Sequence, residues 1–283
     1  MTGTIDECGG DRLRALVVTA PGINCDRELG EAFAIAGATP EFVLLDALRR
    51  DPGRIDEFDL IGLPGGFSYG DDVAAGRIMA ALMRREVYPA MRATIERGTP
   101  VICPCNGFQI AVQAGLLPGP VDAEAEWTST PARPTIALAQ NQSGRFHDGW
   151  TRVEIPSNTR CVWTAGLECV GDDALLPSAH GEGRFVTGGT ELARLESNGQ
   201  VALRYAADDN FNGSMGAVAG ICDPSGLVFG LMPHPERYLQ WTCHPWWTRM
   251  DRSWRAKHEP LGLRMFRSAV AHVLRTRRAC TVR

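Results

Sequence analysis

The chain has 283 residues, 44% apolar and 22% charged, which is enough for a substantial core and ordinary for a soluble globular enzyme. A net charge of −4 gives no general reason to expect nucleic acid or an anionic membrane as partner. No uninterrupted apolar run approaches the roughly 20 residues that a membrane span requires.

The N-terminal residues, with Asp6, Glu7 and Asp11, lack a basic stretch followed by an apolar one. No signal peptide is therefore expected, and residues 1–12 read as a flexible extension. Nine scattered cysteines without a CxxC pair fit a reduced, cytoplasmic protein better than a disulfide framework. Lys257 is the only lysine, so a GxxxxGK[ST] phosphate loop is absent. Any ATP used in the reaction must be bound by another chain or by a different kind of site.

In chain order, residues 13–19 read as a buried strand, followed by Pro21-Gly22 and a helical pattern over 26–36 that Gly37 stops. Residues 41–45 and 58–63 read as further strands. Helical sequence is expected over 72–84 and 88–97, with Gly98 as the stop. Short apolar strands alternating with helices imply a doubly wound, mainly parallel sheet. In such a sheet ligands sit at the carboxyl ends of strands. The third strand ends in Pro64-Gly65-Gly66, where glycines let a backbone N–H approach a substrate oxygen, or simply make a turn.

Residues 101–110, Val-Ile-Cys-Pro-Cys-Asn-Gly-Phe-Gln-Ile, are an apolar strand that reaches Cys105 and then opens a helix. The helix dipole and its unpaired N–H groups favour negative charge at that sulfur, and the small Asn106 and Gly107 allow a sharp turn. This is the arrangement of a nucleophile elbow with cysteine in the place of serine. Composition then shifts towards Thr, Pro, Gln and Ser up to residue 143. Residues 151–155, 200–205, 217–222 and 227–231 read as added, antiparallel strands.

Residues 178–184 form a glycine-rich polar stretch, read as a loop, carrying His180 and Glu182. Residues 230–237 run a strand into Pro233-His234-Pro235-Glu236. The prolines favour an extended backbone, in which Glu236 and His234 point the same way. That supplies a base and the carboxylate that orients it. The Trp-rich stretch 239–258 reads as a surface flap or a docking surface, and a last helix is expected over 261–275. His244 and His258 sit among polar residues and read as solvated. Alone, Cys105 is a buried structural cysteine and His234 a satisfied histidine. Together with the PGG turn they point to cysteine-nucleophile chemistry. A metal site at Cys103, Cys105, Cys243 and His244 lacks familiar ligand spacing, so no metal is expected.

The segments LPGGFSYGD, CNGFQI, AHGEGRF, FNGS, AGICDPSG and GLMPHPER, in this order, resemble the glutaminase subunits of phosphoribosylformylglycinamidine synthase. These are class I (triad) glutamine amidotransferases of purine biosynthesis. The resemblance spans about residues 14–238 and the last helix. It implies a three-layer α/β fold in one domain over 13–278 and a Cys105–His234–Glu236 triad. It also implies oxyanion donors at Gly66 and Asn106, and a glutamine site at Gln109, His180, Gly181 and Glu182. No cofactor is expected in this chain, since a large synthase subunit, with or without a small accessory subunit, would use ATP and Mg. Cys103-Pro104 stands where the family has Gly-Ile, which bears on the elbow's geometry. An amidotransferase serving another synthase, or a catalytically silent regulatory subunit, stays open at this point.

Overall fold

The structure, a computed structural model, describes residues 12–281 apart from 123 and 170. The extension expected over 1–12 thus lies, but for its last residue, outside the described residues. The strands are β1 (Arg14–Thr19), β2 (Thr39–Leu44), β3 (Leu60–Gly62), β4 (Val101–Pro104), β5 (Ile136–Gln140), β6 (His147–Glu154), β7 (Leu175–His180), β8 (Glu182–Thr187), β9 (Val201–Tyr205), β10 (Val218–Cys222) and β11 (Val228–Leu231). The helices are α1 (Asp26–Ala36), α2 (Leu45–Arg50), α3 (Arg77–Leu82), α4 (Tyr88–Glu96), α5 (Asn106–Ala114), α6 (Gly189–Ser197), α7 (Arg252–Arg255) and α8 (Leu261–Thr281).

Nine strands form one sheet in the order β2-β1-β3-β4-β11-β10-β9-β6-β7, and β5 pairs with β8 separately. The pairs from β2 to β11 are parallel, and those from β11 to β7 antiparallel. Residues 228–231, expected among the antiparallel additions, therefore also extend the parallel half, against β4. Helices cover both faces. On one, Phe33 of α1, Phe266 of α8 and Trp163 meet edge-on with centroids 5.4–6.5 Å apart. On the other, Met79, Met91, Ile95 and Phe108 of α3, α4 and α5 pack with Leu16, Ile61 and Val101. Each such fully buried side chain contributes ~1.5–3 kcal/mol, which makes these faces the main source of stability. The result is the three-layer α/β fold.

Helix α1 ends as expected at Gly37, whose φ of 110° lets its N–H reach Phe33 O and Ala34 O. The helix expected over 72–84 starts at Arg77 rather than 72. Tyr69, Gly70, Asp71 and Gly76 all have positive φ, and Asp71 Oδ1 accepts from Gly76 N at 3.1 Å. A helix cannot propagate through those conformations. It then runs through a π turn, Met83–Val87, straight into α4.

The expected loop over 178–184 is strand instead. β7 runs through His180 and β8 starts at Glu182, with Gly181 alone between them. The glycines serve packing here: a Cβ on Gly183 would lie 2.3 Å from the His180 ring. β5, β7 and β8 are short and partly polar and do not stand out in the sequence, whereas α6, with Leu192 and Leu195 at helical spacing, was passed over.

In the Trp-rich stretch, Trp241 packs on Tyr238 and Trp254, and its Nε1 donates to Arg255 O and His258 O. His244 is buried rather than solvated. Its Nε2 donates to Asp172 O at 2.8 Å and its Nδ1 accepts from Trp246 N. His258 is exposed, stacked on Trp254. Trp246 and Trp247 remain 44% and 37% exposed.

Candidate active site

The parallel half of the sheet sets the site. Loops leaving the carboxyl ends of β1, β3, β4 and β11 converge on one cavity of about 400 Å³. They bring Asn24 and Cys25, Gly66 and Phe67, Cys105 and Gln109, and His234 and Arg237 to its wall. The end of β7 adds Ala179, His180, Gly181 and Glu182.

Cys105 has φ 50° and ψ −109°, a strained conformation for a residue with a Cβ, and α5 begins at the next residue. Its N–H donates to Leu231 O at 2.7 Å, which ties the elbow to β11. Gly107 is required by contact, because a Cβ there would sit 1.9 Å from Leu63 O. Pro104 closes β4 opposite Leu231, and Cys103 is fully buried, so the Cys-Pro pair fits without opening the turn. Burial pushes the Cys103 thiol far above its ordinary range, which makes it inert.

Gly66 has φ 129° and packs against Asn24. Among the described residues, the N–H groups of Gly66 and Asn106 donate to no protein acceptor, leaving both free for a ligand oxygen. The side chain of Asn106 faces away, giving Nδ2 to Gln109 Oε1 at 2.9 Å and accepting from Ser68 N. Gln109 in turn donates to Glu182 O.

His234 and Glu236 are both 1% exposed, with Nδ1 and Oε1 2.6 Å apart. The pair is not extended as expected, since Pro235–Arg237 form a 3-10 turn and the carboxylate curls back onto the ring. Among the described residues Oε2 of Glu236 is buried without a hydrogen-bond partner, which leaves His234 as the carboxylate's partner. Burial works to lower the imidazole pKa. The charge of Glu236 and the neighbouring thiols of Cys105 and Cys25 outweigh it and hold His234 well above its ordinary value.

His180 behaves oppositely. Burial, with the charges of His234 and His147, pushes it down to about 3, so it is neutral. Its Nδ1 meets Asn141 Oδ1 at 3.1 Å, while Asn141 Nδ2 is committed to two carbonyls. Nδ1 therefore carries the ring proton and Nε2 the lone pair. Burial also pushes up the carboxyl of Asp71 on the same wall, although Gly76 N–H and the Asn106 amide oppose the shift.

The structure thus gathers Gly66, Cys105, Gln109, His180, Gly181, Glu182 and His234 around one cavity, with Asn106 and Glu236 immediately behind it. Sequence reasoning passed over Asn24, Cys25, Asp71 and Arg237. One signal was present: Pro21-Gly22 after β1 is the same kind of strand-end turn as Pro64-Gly65-Gly66. A Cβ on Gly22 would lie 2.0 Å from Phe67 O, so the two turns interlock. Among the described residues, Cys25, His234 and Glu236 have potential metal ligands within 4.8 Å of one another. However, Arg237 Nη2 donates to Cys25 Sγ at 2.9 Å, and a guanidinium there opposes a cation.

The profile of the CobB/CobQ-like glutamine amidotransferase domain matches residues 12–273. The chain is 36% identical over 266 residues to phosphoribosylformylglycinamidine synthase subunit PurQ of Dehalococcoides mccartyi, covering 92% of this chain and 97% of that protein. With the PurQ subunit of Corynebacterium efficiens it shares 40% over 232 residues, 81% of this chain and 90% of that one. Among solved structures, a chain of PurLQS from Thermotoga maritima superposes with a TM-score of 0.67 at 33% identity, covering 93% and 99% of the two chains.

Proposed function

The chain belongs to the PurQ subunits of phosphoribosylformylglycinamidine synthase, within the CobB/CobQ-like glutamine amidotransferases, and on that premise we propose how its cavity releases ammonia from glutamine. As the glutaminase subunit of that synthase, it splits glutamine to glutamate and ammonia, and the synthase uses the ammonia to make formylglycinamidine ribonucleotide.

Cys105 gives its proton to His234 and attacks the carboxamide carbon. The oxyanion of the tetrahedral intermediate rests against the N–H groups of Gly66 and Asn106, and removing one such donor costs about 3–4 kcal/mol in the barrier. His234 passes its proton to the departing nitrogen, ammonia leaves, and a glutamyl thioester remains. Water, deprotonated by the same imidazole, then hydrolyses the thioester and restores the thiol. Glu236 orients the ring and stabilises its charged form. Gln109 and the 180–182 segment hold the glutamine.

The observation that carries this reading is the buried His234–Glu236 pair at 2.6 Å beside Cys105, whose strained backbone points its sulfur into a shared cavity. We assign ATP and Mg to the large synthase subunit, with or without a small accessory subunit, no cofactor or metal to this chain, and the cytoplasm as its location. Among the described residues no helix is long and apolar enough to cross a membrane. The test is glutamate release by the chain with and without its synthase partner. Cys105→Ala abolishes it and Cys103→Ala does not; equal loss in both would overturn the assignment of the nucleophile.

A further inference from the structure

We propose that Cys25 is a positioning residue for this reaction: its sulfur engages the Arg237 guanidinium, keeps it from Glu236, and forms the seat of the His234 ring. The proposal rests on the glutaminase reading above. Cys25 comes from the turn after β1, immediately before α1, far in sequence from every member of the triad. It is 1% exposed, and its thiol donates to Asn24 Oδ1 at 3.3 Å while accepting from Arg237 Nη2 at 2.9 Å. Its sulfur, a ring nitrogen of His234 and a carboxylate oxygen of Glu236 lie within 4.8 Å of one another. Gly65 closes the group from the other side. A Cβ there would stand 2.9 Å from His234 Cε1 and 3.3 Å from Cys25 Sγ, so sulfur and imidazole share a seat without slack.

The electrostatic consequence follows from two buried atoms that make no hydrogen bond. Among the described residues, Oε2 of Glu236 and Nε of Arg237, on adjacent residues, are both buried without hydrogen-bond partners, and Nε has only an ion pair with Glu28 Oε1 at 3.8 Å. Glu28 is partly exposed and that pair is weak, so a guanidinium left free to do so would turn to the buried carboxylate of Glu236. The guanidinium is instead turned to the sulfur, and Glu236 keeps its hydrogen bond for the imidazole. The groups acting on His234 are Glu236 from its own turn, Cys105 after β4, Cys25 before α1 and His180 at the end of β7, while Arg237 faces Glu236, Cys25 and Glu28 of α1. Loss of the sulfur shifts Arg237 towards Glu236 and weakens the hold on the proton that must reach the leaving nitrogen.

The experiment compares Cys25→Val, Cys25→Ala and Cys25→Ser with the wild type, each assembled with its synthase partner, by glutamate release across pH. In Val and Ala, kcat falls about tenfold with KM within about twofold, and the alkaline limb of the rate moves down by about one pH unit. Ser, which still accepts from Arg237, stays within about threefold of wild type, and adding Arg237→Met to Cys25→Ala returns the limb towards its original position. An unmoved limb with unchanged kcat in Ala, which cannot overfill the seat, overturns the proposal. So does a rise in KM alone, which would make Cys25 a substrate contact. A wild-type complex that releases no glutamate refutes the glutaminase reading instead.

Discussion

Glu236→Gln tests the electrostatics of the site most directly. The substitution keeps the shape of the side chain and the reach to Nδ1, which is 2.6 Å away, and removes only the charge. Both residues are buried, so the charge acts with little screening. Taking the charge centres about 4 Å apart and an effective dielectric near 20, the lost attraction is about 4 kcal/mol, or roughly three pKa units on His234. The sign is fixed. The pKa of His234 is raised, so the imidazolium persists from acid pH up to its folded pKa and is lost above it; removing Glu236 pulls that upper boundary down. At neutral pH the variant then holds too little imidazolium to protonate the leaving nitrogen, and kcat drops by about 10²–10⁴. Site-resolved alkylation of Cys105 by iodoacetamide between pH 5 and 10 gives a readout independent of turnover. Its pH profile changes if His234 and Cys105 share a proton. An unchanged alkylation profile with kcat within threefold of wild type would refute the coupling.

Other outcomes follow from the same geometry. Gly107→Ala places a Cβ on Leu63 O and costs at least about 2–3 kcal/mol in urea unfolding, where an ordinary helix glycine would gain from the change. Iodoacetamide at pH 9 labels Cys105 in the native chain and leaves Cys103 untouched, because burial holds that thiol far above its ordinary range. Glu86 is held down to about 2 by hydrogen bonds from Arg49 and then Arg85. Its contribution to stability is present above the ordinary carboxylate value and lost as pH falls through about 2, so Glu86→Gln flattens the urea midpoint across that window. Free hydrolysis of glutamine is wasteful, and we expect the isolated chain to release glutamate at least about tenfold more slowly than the complex; equal rates exclude gating by the partner.

The local pattern was enough to mark Cys105 at a strand-to-helix turn, Gly37 as a helix stop and His234 two residues from Glu236, because each depends on neighbours within one turn of chain. The doubly wound sheet was equally legible, since its inner strands β1, β3, β4 and β11 are buried on both faces and read as continuous apolar runs. Partly polar strands such as β5, β7 and β8 gave no such run, and pairing across the chain formed β7 and β8 where the glycines of 178–184 suggested a loop. The buried state of His244 likewise depends on Asp172, distant in sequence, and on the aromatic rings of Trp150 and Tyr238. Cys25 shows the limit most clearly. Its sequence context is an unremarked turn before a helix, and it meets His234 and Arg237 only because parallel strands deliver their carboxyl ends to one edge of the sheet. Short-range spacing determines which residues have the right chemistry; strand order determines which of them share a cavity.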